Sequence, residues 1–165
     1  MEAVRSGGEA ARRRRRLHAA VRELLRDMRV ELSVLNSRVG ARLDFRAADL
    51  DCLDIISRDG PLSPSALARR SGLHPATVTG VLDRLERDGW TVRERHPTDR
   101  RAVVVRAVPD RAAEIYRQYS GMNTAIDKIC AGYSEAELDV IADFLRRTTD
   151  AGRRATEELP GRELP

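Results

Sequence analysis

The stretch 63–108 reads SPSALARRSGLHPATVTGVLDRLERDGWTVRERHPTDRRAVVVRAV, and its pattern decides the fold. The opening Ser63-Pro64 pair is typical of a helix start, and Gly72 is typical of the end of that helix. A second helix opens at His74-Pro75 and stops at Gly89. Two short helices joined by a glycine-containing turn are the arrangement of a helix-turn-helix, so this stretch predicts one.

Two runs of strand-forming residues follow the second helix. They extend from Trp90 to His96 and from Arg101 to Val108, and the turn between them spans Pro97 to Arg100. A β-hairpin placed directly after a helix-turn-helix predicts a winged helix. The predicted fold is therefore mainly α with a small β-hairpin wing.

The predicted tip of the hairpin contains Asp99, Arg100 and Arg101. The stability of a hairpin does not itself require two arginines there. A guanidinium at the tip can enter the minor groove of DNA, whose negative potential attracts it, and Asp99 can hold Arg101 through a bidentate pair. The alternative is a solvated turn with a surface ion pair that contributes at most ~1 kcal/mol.

The second helix of the pair has small and polar residues off its apolar stripe. Small residues let a helix sit deep in the major groove, and a threonine can bond a phosphate or contact a thymine methyl group. The candidate DNA contacts of this helix are His74, Ala76, Thr77, Thr79, Gly80, Asp83 and Arg84. Those of the wing are Thr98, Asp99, Arg100 and Arg101.

Both ends of the chain are predicted to be helical and apolar on one face. The first helix is expected to start at Arg12 and to continue to Gly40, which is too long to bury its stripe against a small domain. Residues 115–129 alternate apolar steps of four and three, as in a helix–helix seam, and Ser134 with Glu137 forms a capping box. We expect the two ends to pair between subunits of a homodimer; an intrachain bundle is the alternative. The candidate dimerisation residues are Leu17, Val21, Leu24, Ile126, Ile129, Leu138, Ile141 and Leu145.

The charge of the 165-residue chain is unevenly distributed, although its net value is only +4. The segment 63–106 has 9 arginines against 5 acidic residues, whereas 107–165 has 8 basic against 11 acidic residues. A basic middle segment favours a polyanionic partner such as double-stranded DNA. An ordinary solvated surface in an arginine-rich protein is the other interpretation.

Several function classes find no support in the sequence. No stretch approaches the roughly 20 apolar residues that cross a bilayer, so we expect a cytoplasmic protein with no membrane partner. Cys52 and Cys130 lie in apolar helical patterns and form no CxxC pair, which favours packed, reduced thiols. Three scattered histidines offer no metal site, and no phosphate loop or nucleophile motif indicates an enzyme or a cofactor.

The segment 63–108 resembles the DNA-binding core of the MarR family of transcriptional regulators. Its most specific parts are ATVTGVLDRLE in the second helix and the DxR of the wing, Asp99 and Arg101. The resemblance implies a winged-helix homodimer that binds a pseudo-palindromic operator and usually represses. It also implies release from DNA by a small hydrophobic or phenolic effector, or by oxidation of a cysteine.

The chain departs from the family pattern at two positions of the second helix. Gly80 stands where many members have an arginine, so the operator preference does not carry over. His74 replaces a serine or aspartate at the helix start, and its ring can act as a weak cap or contact a phosphate. The sequence identifies neither the effector nor the residues that bind it, which would come from the first, second and fifth helices.

The predicted function is a sequence-specific DNA-binding regulator, most simply a repressor, and the alternatives are a winged-helix protein-interaction module and a cysteine-based redox regulator. The regulated genes and the direction of regulation stay open. The predicted organisation is a disordered arm (1–11), a helical dimerisation region (12–45 and 109–158), a winged helix-turn-helix (46–108) and a flexible tail (159–165).

Overall fold

The computed structural model describes residues 2–96, 98–99 and 102–159. Most of them are helical, and a two-stranded antiparallel sheet follows the fourth helix, so the predicted fold class is confirmed. None of the described helices contains an apolar stretch long enough to cross a membrane. The elements are α1 (Glu2–Arg42), α2 (Ala47–Asp59), α3 (Pro64–Ser71), α4 (Pro75–Arg87), β1 (Thr91–Arg95), β2 (Val103–Ala107), α5 (Pro109–Gln118), α6 (Ser120–Cys130) and α7 (Glu135–Glu158).

The chain forms two compact units, residues 1–50 and residues 51–165. The first unit consists mainly of α1, whose 41 residues begin at Glu2 and not at the predicted Arg12. Residues 2–11 continue the helix where a disordered arm was predicted; their three alanines and two glutamates are good helix formers, whereas Gly7 and Gly8 are not. The helix ends where the Gly40 carbonyl accepts bonds from the N–H groups of Leu43 and Phe45.

The second unit contains the core of the winged helix. α3 packs on α4, α4 packs against β1, and α3 also contacts β2. The first helical segment of this unit, residues 51–59 of α2, contributes Cys52, Leu53 and Ile56 to the core. The other buried apolar residues are Leu67, Ala68, Val78, Val81, Leu82, Leu85, Trp90, Val104 and Val105.

The ends of α3 and α4 follow the signals in the sequence. The Ser63 hydroxyl accepts a 3.2 Å bond from the Ala66 N–H, which satisfies one of the free donors at the helix start. Gly72 and Gly89 follow the two helices with φ of 69° and 75°, a left-handed conformation that glycine adopts without a Cβ penalty. The predicted start and end of both helices are therefore confirmed.

The two strands are shorter than the predicted runs. Thr91 lies opposite Ala107 and Arg95 lies opposite Val103, and Leu62 adds an isolated bridge to Val105. Trp90 precedes the strand because its N–H donates to the Leu85 carbonyl at 2.7 Å, so it still closes the end of α4. The hairpin position therefore agrees with the prediction, and only its ends differ.

The predicted seam over residues 115–129 is interrupted at Tyr119. The Tyr119 N–H donates to the Tyr116 carbonyl, a short turn that ends α5, and the Tyr119 carbonyl accepts from Asn123 in the first turn of α6. The seam is thus divided between two helices. The predicted capping box of α7 is present in full, since Ser134 and Glu137 each accept a bond from the other's N–H.

Candidate nucleic-acid interface

The interface begins at the N-terminus of α4, where His74 is the N-cap. Its ring Nδ1 accepts a 3.2 Å hydrogen bond from the Ala76 N–H, and Pro75 occupies the first helical position. A ring nitrogen here performs the role that serine or aspartate oxygen usually has. The cap leaves the other ring nitrogen of the exposed His74 facing away from the bonded amide.

α4 has two contrasting faces. Its core face consists of Val78, Val81, Leu82 and Leu85, each at most 1% exposed. The opposite face carries the predicted DNA contacts: His74, Ala76, Thr77, Thr79 and Asp83 are exposed, and Gly80 and Arg84 are half-buried. The fold therefore brings all seven predicted residues of this helix onto one surface.

Gly80 and Arg84 lie one helical turn apart and are close in space. A Cβ built on Gly80 would lie 3.6 Å from the Arg84 Nη1, which is ordinary van der Waals contact. The guanidinium of Arg84 thus reaches back over the position that lacks a side chain. The structure provides a positive charge near Gly80 although residue 80 itself has none.

The hydroxyl of Thr79 is already bonded within the helix. It donates to the Pro75 carbonyl at 3.1 Å, a common i−4 bond for an exposed helical threonine. The oxygen keeps its acceptor capacity, and the methyl group completes the exposed surface. Thr79 is consequently better suited to an apolar contact with a base than to donating a bond to a phosphate.

Arg93 on β1 joins the wing to α4. Its guanidinium donates to the Asp83 carboxylate at 2.6 Å and also binds Glu86, while its backbone N–H donates to Glu86 at 3.3 Å. The hydrogen bond with Asp83 raises the pKa of Arg93 above its ordinary value, and the charge of Glu86 adds to this shift against partial desolvation. We name Asp83, Glu86 and Arg93 the wing clamp.

The wing clamp changes the interpretation of Asp83. A carboxylate on a DNA-facing surface repels phosphates, and here it holds Arg93. We therefore interpret Asp83 as a residue that positions the wing. The sequence analysis did not identify Arg93 or Glu86. The signal in the sequence is a pair of acidic residues three positions apart on α4, followed by an arginine in the next strand.

A second ion pair crosses the wing itself. Arg106 on β2 donates through Nε and Nη2 to the Glu94 carboxylate at 3.1 and 2.7 Å. Near the tip, the His96 N–H donates to the Ala102 carbonyl, and the Thr98 N–H donates to the His96 ring at 3.3 Å. Thr98 and Asp99 are exposed there, as their predicted roles require.

The two arginines predicted at the tip, Arg100 and Arg101, lie outside the described residues, as does Pro97. Their role in DNA binding stays a prediction.

Behind the wing, Trp90 and Arg111 form a support. The Arg111 guanidinium carbon lies 3.8 Å from the centroid of the Trp90 ring, and its Nη1 donates to Glu114 at 2.8 Å. Trp90 is 4% exposed and is the only tryptophan of the chain. This cation–π contact fixes the start of α5 against the base of the wing.

The predicted dimerisation residues are exposed to different degrees. Leu17, Val21, Leu24, Ile126, Ile129, Ile141 and Leu145 are 36–64% exposed, and Leu138 is half-buried. Each unit therefore leaves apolar side chains uncovered on its long helices. In the winged-helix core, by contrast, the exposed fraction of the leucine side chains is at most 2%.

The two cysteines are in different surroundings. Cys52 is fully buried, whereas Cys130 at the end of α6 is half-buried, and neither forms a disulfide bond. In the part of the chain that the structure describes, no group of three or more His, Cys, Asp or Glu side chains is placed to hold a metal ion.

A family model described as the MarR family matches residues 46–103, the segment from the start of α2 to the first residue of β2. Among relatives, the chain is 28% identical over 137 residues to the uncharacterized HTH-type transcriptional regulator YcgE of Bacillus subtilis, which covers 83% of this chain and 89% of YcgE. It is 34% identical over 89 residues to the HTH-type transcriptional repressor YetL of the same organism, over 54% of this chain and 53% of YetL.

Solved structures show the same fold. The transcriptional regulator Tm0710 of Thermotoga maritima matches with a TM-score of 0.57 and 26% identity, over 83% of this chain and 96% of Tm0710. FabT of Streptococcus pneumoniae, solved in complex with DNA, matches with a TM-score of 0.63 and 22% identity, over 84% and 99% of the two chains. At 22% identity the second match supports the winged-helix fold alone.

Proposed function

Because the chain belongs to the MarR family of transcriptional regulators, we propose that it is a sequence-specific DNA-binding regulator that acts as a repressor. Its relatives are regulators and not enzymes, and YetL is named a repressor. The observation that carries the proposal is the exposed face of α4 with the wing held beside it by Arg93. A DNA partner also implies a cytoplasmic location.

In this proposal α4 enters the major groove and the wing reaches the neighbouring minor groove. His74, Ala76, Thr77 and Thr79 contact base edges and phosphates near the N-terminus of α4, and Arg84 supplies a cation over Gly80. Thr98, Asp99, Arg100 and Arg101 form the minor-groove contact. Asp83 acts through the wing clamp, because its carboxylate is bonded to Arg93.

We further propose a homodimer on a pseudo-palindromic operator. Exposed apolar residues such as Leu24 at 64% and Ile129 at 62% favour burial against another copy of these helices. A two-fold protein places two recognition helices on two equivalent half-sites, which is why such operators are symmetric. Release from DNA by a small hydrophobic or phenolic effector is the regulatory step that family membership suggests.

The proposal is tested by competition on the DNA upstream of the protein's own gene. The labelled promoter fragment is bound to the purified protein and then challenged with unlabelled promoter or with a shuffled sequence of the same composition. Release by the promoter at concentrations at least about a thousandfold lower than by the shuffled DNA supports a sequence-specific regulator. Equal competition contradicts it and favours a winged-helix module that binds another protein.

A further inference from the structure

We propose that a cleft between α2, α3 and α7 is a binding site for a compact dianion, either a phosphate monoester or a dicarboxylate. The cleft has a volume of about 240 Å³ and is lined by four arginines, which come from three helices. We call it the arginine cleft: Arg58 of α2, Arg69 and Arg70 of α3, and Arg153 of α7. It lies entirely within the second unit and shares no residue with the proposed DNA-contacting set.

The arginine cleft carries an excess of positive charge. Its lining includes two carboxylates, Asp59 and Glu157, against the four guanidiniums. Arg70 binds Asp59 through a 2.8 Å hydrogen bond and holds the pKa of Asp59 below its ordinary value, with desolvation opposing and the charges of Arg58 and Arg153 contributing. Three guanidiniums thus act on one carboxylate, and the lining as a whole has four guanidiniums against two carboxylates, a net charge of +2.

Arg69, Arg58 and Arg153 remain available for a ligand. Arg69 is exposed and makes no salt bridge within the described residues. The partners of Arg58 and Arg153 are carboxylates of their own helices, at the long distances of 3.8 and 3.7 Å. Such exposed pairs are weak, so an anion can replace them at small cost.

Guanidinium chemistry determines the class of ligand. The planar fork of an arginine matches two oxygens of one carboxylate or phosphate, and the net charge of +2 on the cleft lining matches a dianion. The volume is below the usual range of about 300 Å³ or more for drug-sized ligands, so the ligand is compact. The hydroxyls of Thr149 and Thr156 already donate to carbonyls of α7, so the arginines supply the donors.

The location gives the ligand a regulatory consequence, which rests on the proposed function. Arg69 and Arg70 belong to α3, the first helix of the helix-turn-helix, and Arg153 belongs to α7. A dianion bridging them ties α3 to α7. Any change in operator affinity caused by the ligand is matched by an equal change in ligand affinity caused by the operator.

Isothermal titration calorimetry of the DNA-free protein tests the site. The probes are glycerol 2-phosphate and succinate in chloride buffer of matched ionic strength, and the neutral succinamide is the control ligand. The variants are Arg69→Gln and Arg153→Gln, with Arg154→Gln as the matched control because Arg154 is the exposed neighbour on α7 that does not line the cleft. Unchanged melting temperatures show that the variants fold.

We expect one or both dianions to bind the wild type and Arg154→Gln equally, and succinamide not to bind. Arg69→Gln and Arg153→Gln should each weaken binding about tenfold or more, because each removes a charge-assisted contact. The probe that binds distinguishes phosphate from carboxylate recognition. Absence of binding by both dianions, or equal binding by all variants, overturns the proposal.

Promoter binding by the same proteins is measured separately from dianion binding. If Arg153→Gln weakens promoter binding while neither dianion binds, the cleft contacts nucleic-acid phosphate and the proposal of a small-ligand site is wrong. If the wild type binds a dianion but no specific DNA, the site stands and the proposed function fails.

Discussion

The guanidinium of Arg93 on β1 donates a 2.6 Å hydrogen bond to the carboxylate of Asp83 on α4, and the same guanidinium binds Glu86 one turn later. This contact connects the wing to the helix that we propose to read the major groove. Because the two elements are held together at the root of the wing, α4 and the hairpin are presented to DNA as one surface.

Arg93→Gln is expected to weaken operator binding several-fold without changing its salt dependence. Arg93 positions the wing and is engaged with two carboxylates, so the substitution removes no contact with a phosphate. The number of counterions that DNA releases on protein binding therefore stays the same. The measurement is the slope of log affinity against log salt for the wild type and the variant. A slope reduced by about 1 would show that Arg93 contacts a phosphate directly.

The same clamp has a measurable coupling energy. Double-mutant cycles of Asp83→Asn and Arg93→Gln in urea denaturation should give about 0.5–1 kcal/mol, as for other partly exposed pairs. Their side chains are 58% and 34% exposed, which keeps the value small. Arg95→Gln, on the same strand, is the control and should show no coupling to Asp83→Asn.

Gly80→Ala is expected to stabilise the free protein by about 0.5–1 kcal/mol, because alanine is the better helix former. The added methyl group meets only the Arg84 Nη1 at 3.6 Å, so there is no clash to offset the gain. Urea denaturation measures the change. A loss of stability would mean that the helix does not tolerate a Cβ there, contrary to the geometry.

Thr79→Ala should reduce operator affinity by about 1 kcal/mol or more if its methyl group contacts a base. Thr124→Ala is the control, because Thr124 is an exposed helical threonine on α6, outside both the proposed DNA-contacting set and the arginine cleft. The two variants should have similar stability and different DNA affinity. Equal affinity in both would remove Thr79 from the interface.

Asp59→Asn should destabilise the protein at neutral pH but not in acid. The bond from Arg70 lowers the folded-state pKa of Asp59 below the unfolded value of 3.8, so the ionised carboxylate stabilises the fold above that value. The stabilisation is lost as pH falls from about 3.8 through the lower folded-state pKa. The difference between the thermal melts of the wild type and the variant should therefore be constant near neutral pH and shrink as the pH falls below about 3.8. A difference that stays constant from pH 7 to pH 3 would contradict this linkage.

Leu145→Glu is expected to shift the proposed homodimer towards monomer, because a charge would replace an apolar side chain at the proposed interface. Sedimentation equilibrium measures the effect over a range of protein concentrations. Val140→Glu is the control, because Val140 lies on the opposite face of α7 from Leu138, Ile141 and Leu145 and outside the predicted dimerisation set. If both variants remain dimeric, Leu145 does not lie in the interface.

Local signals were sufficient to predict most of the helix-turn-helix. Ser63, Gly72 and Gly89 act through hydrogen bonds and backbone angles within a few residues of themselves, and each lies where the sequence indicated. The capping box of Ser134 and Glu137 is equally local. Such features need no knowledge of the tertiary fold.

Features that depend on distant residues were missed. The wing clamp joins Asp83 to Arg93 through packing of β1 on α4, and the arginine cleft joins residues nearly a hundred positions apart, from Arg58 to Arg153. The break at Tyr119 was also missed, because the apolar spacing continues through it, although Gly121 follows two residues later. Periodicity reports which face is apolar and does not show where a helix bends.

The most direct test of DNA reading by α4 and the wing together is fluorescence anisotropy on promoter DNA at several salt concentrations. The wild type is compared with Arg101→Ala at the predicted tip and with Arg147→Ala, an exposed arginine of α7. We predict tight wild-type binding that weakens steeply with salt, a loss of about 1–3 kcal/mol for Arg101→Ala, and little change for Arg147→Ala. Equal affinities of all three proteins for promoter and shuffled DNA would contradict the proposed function.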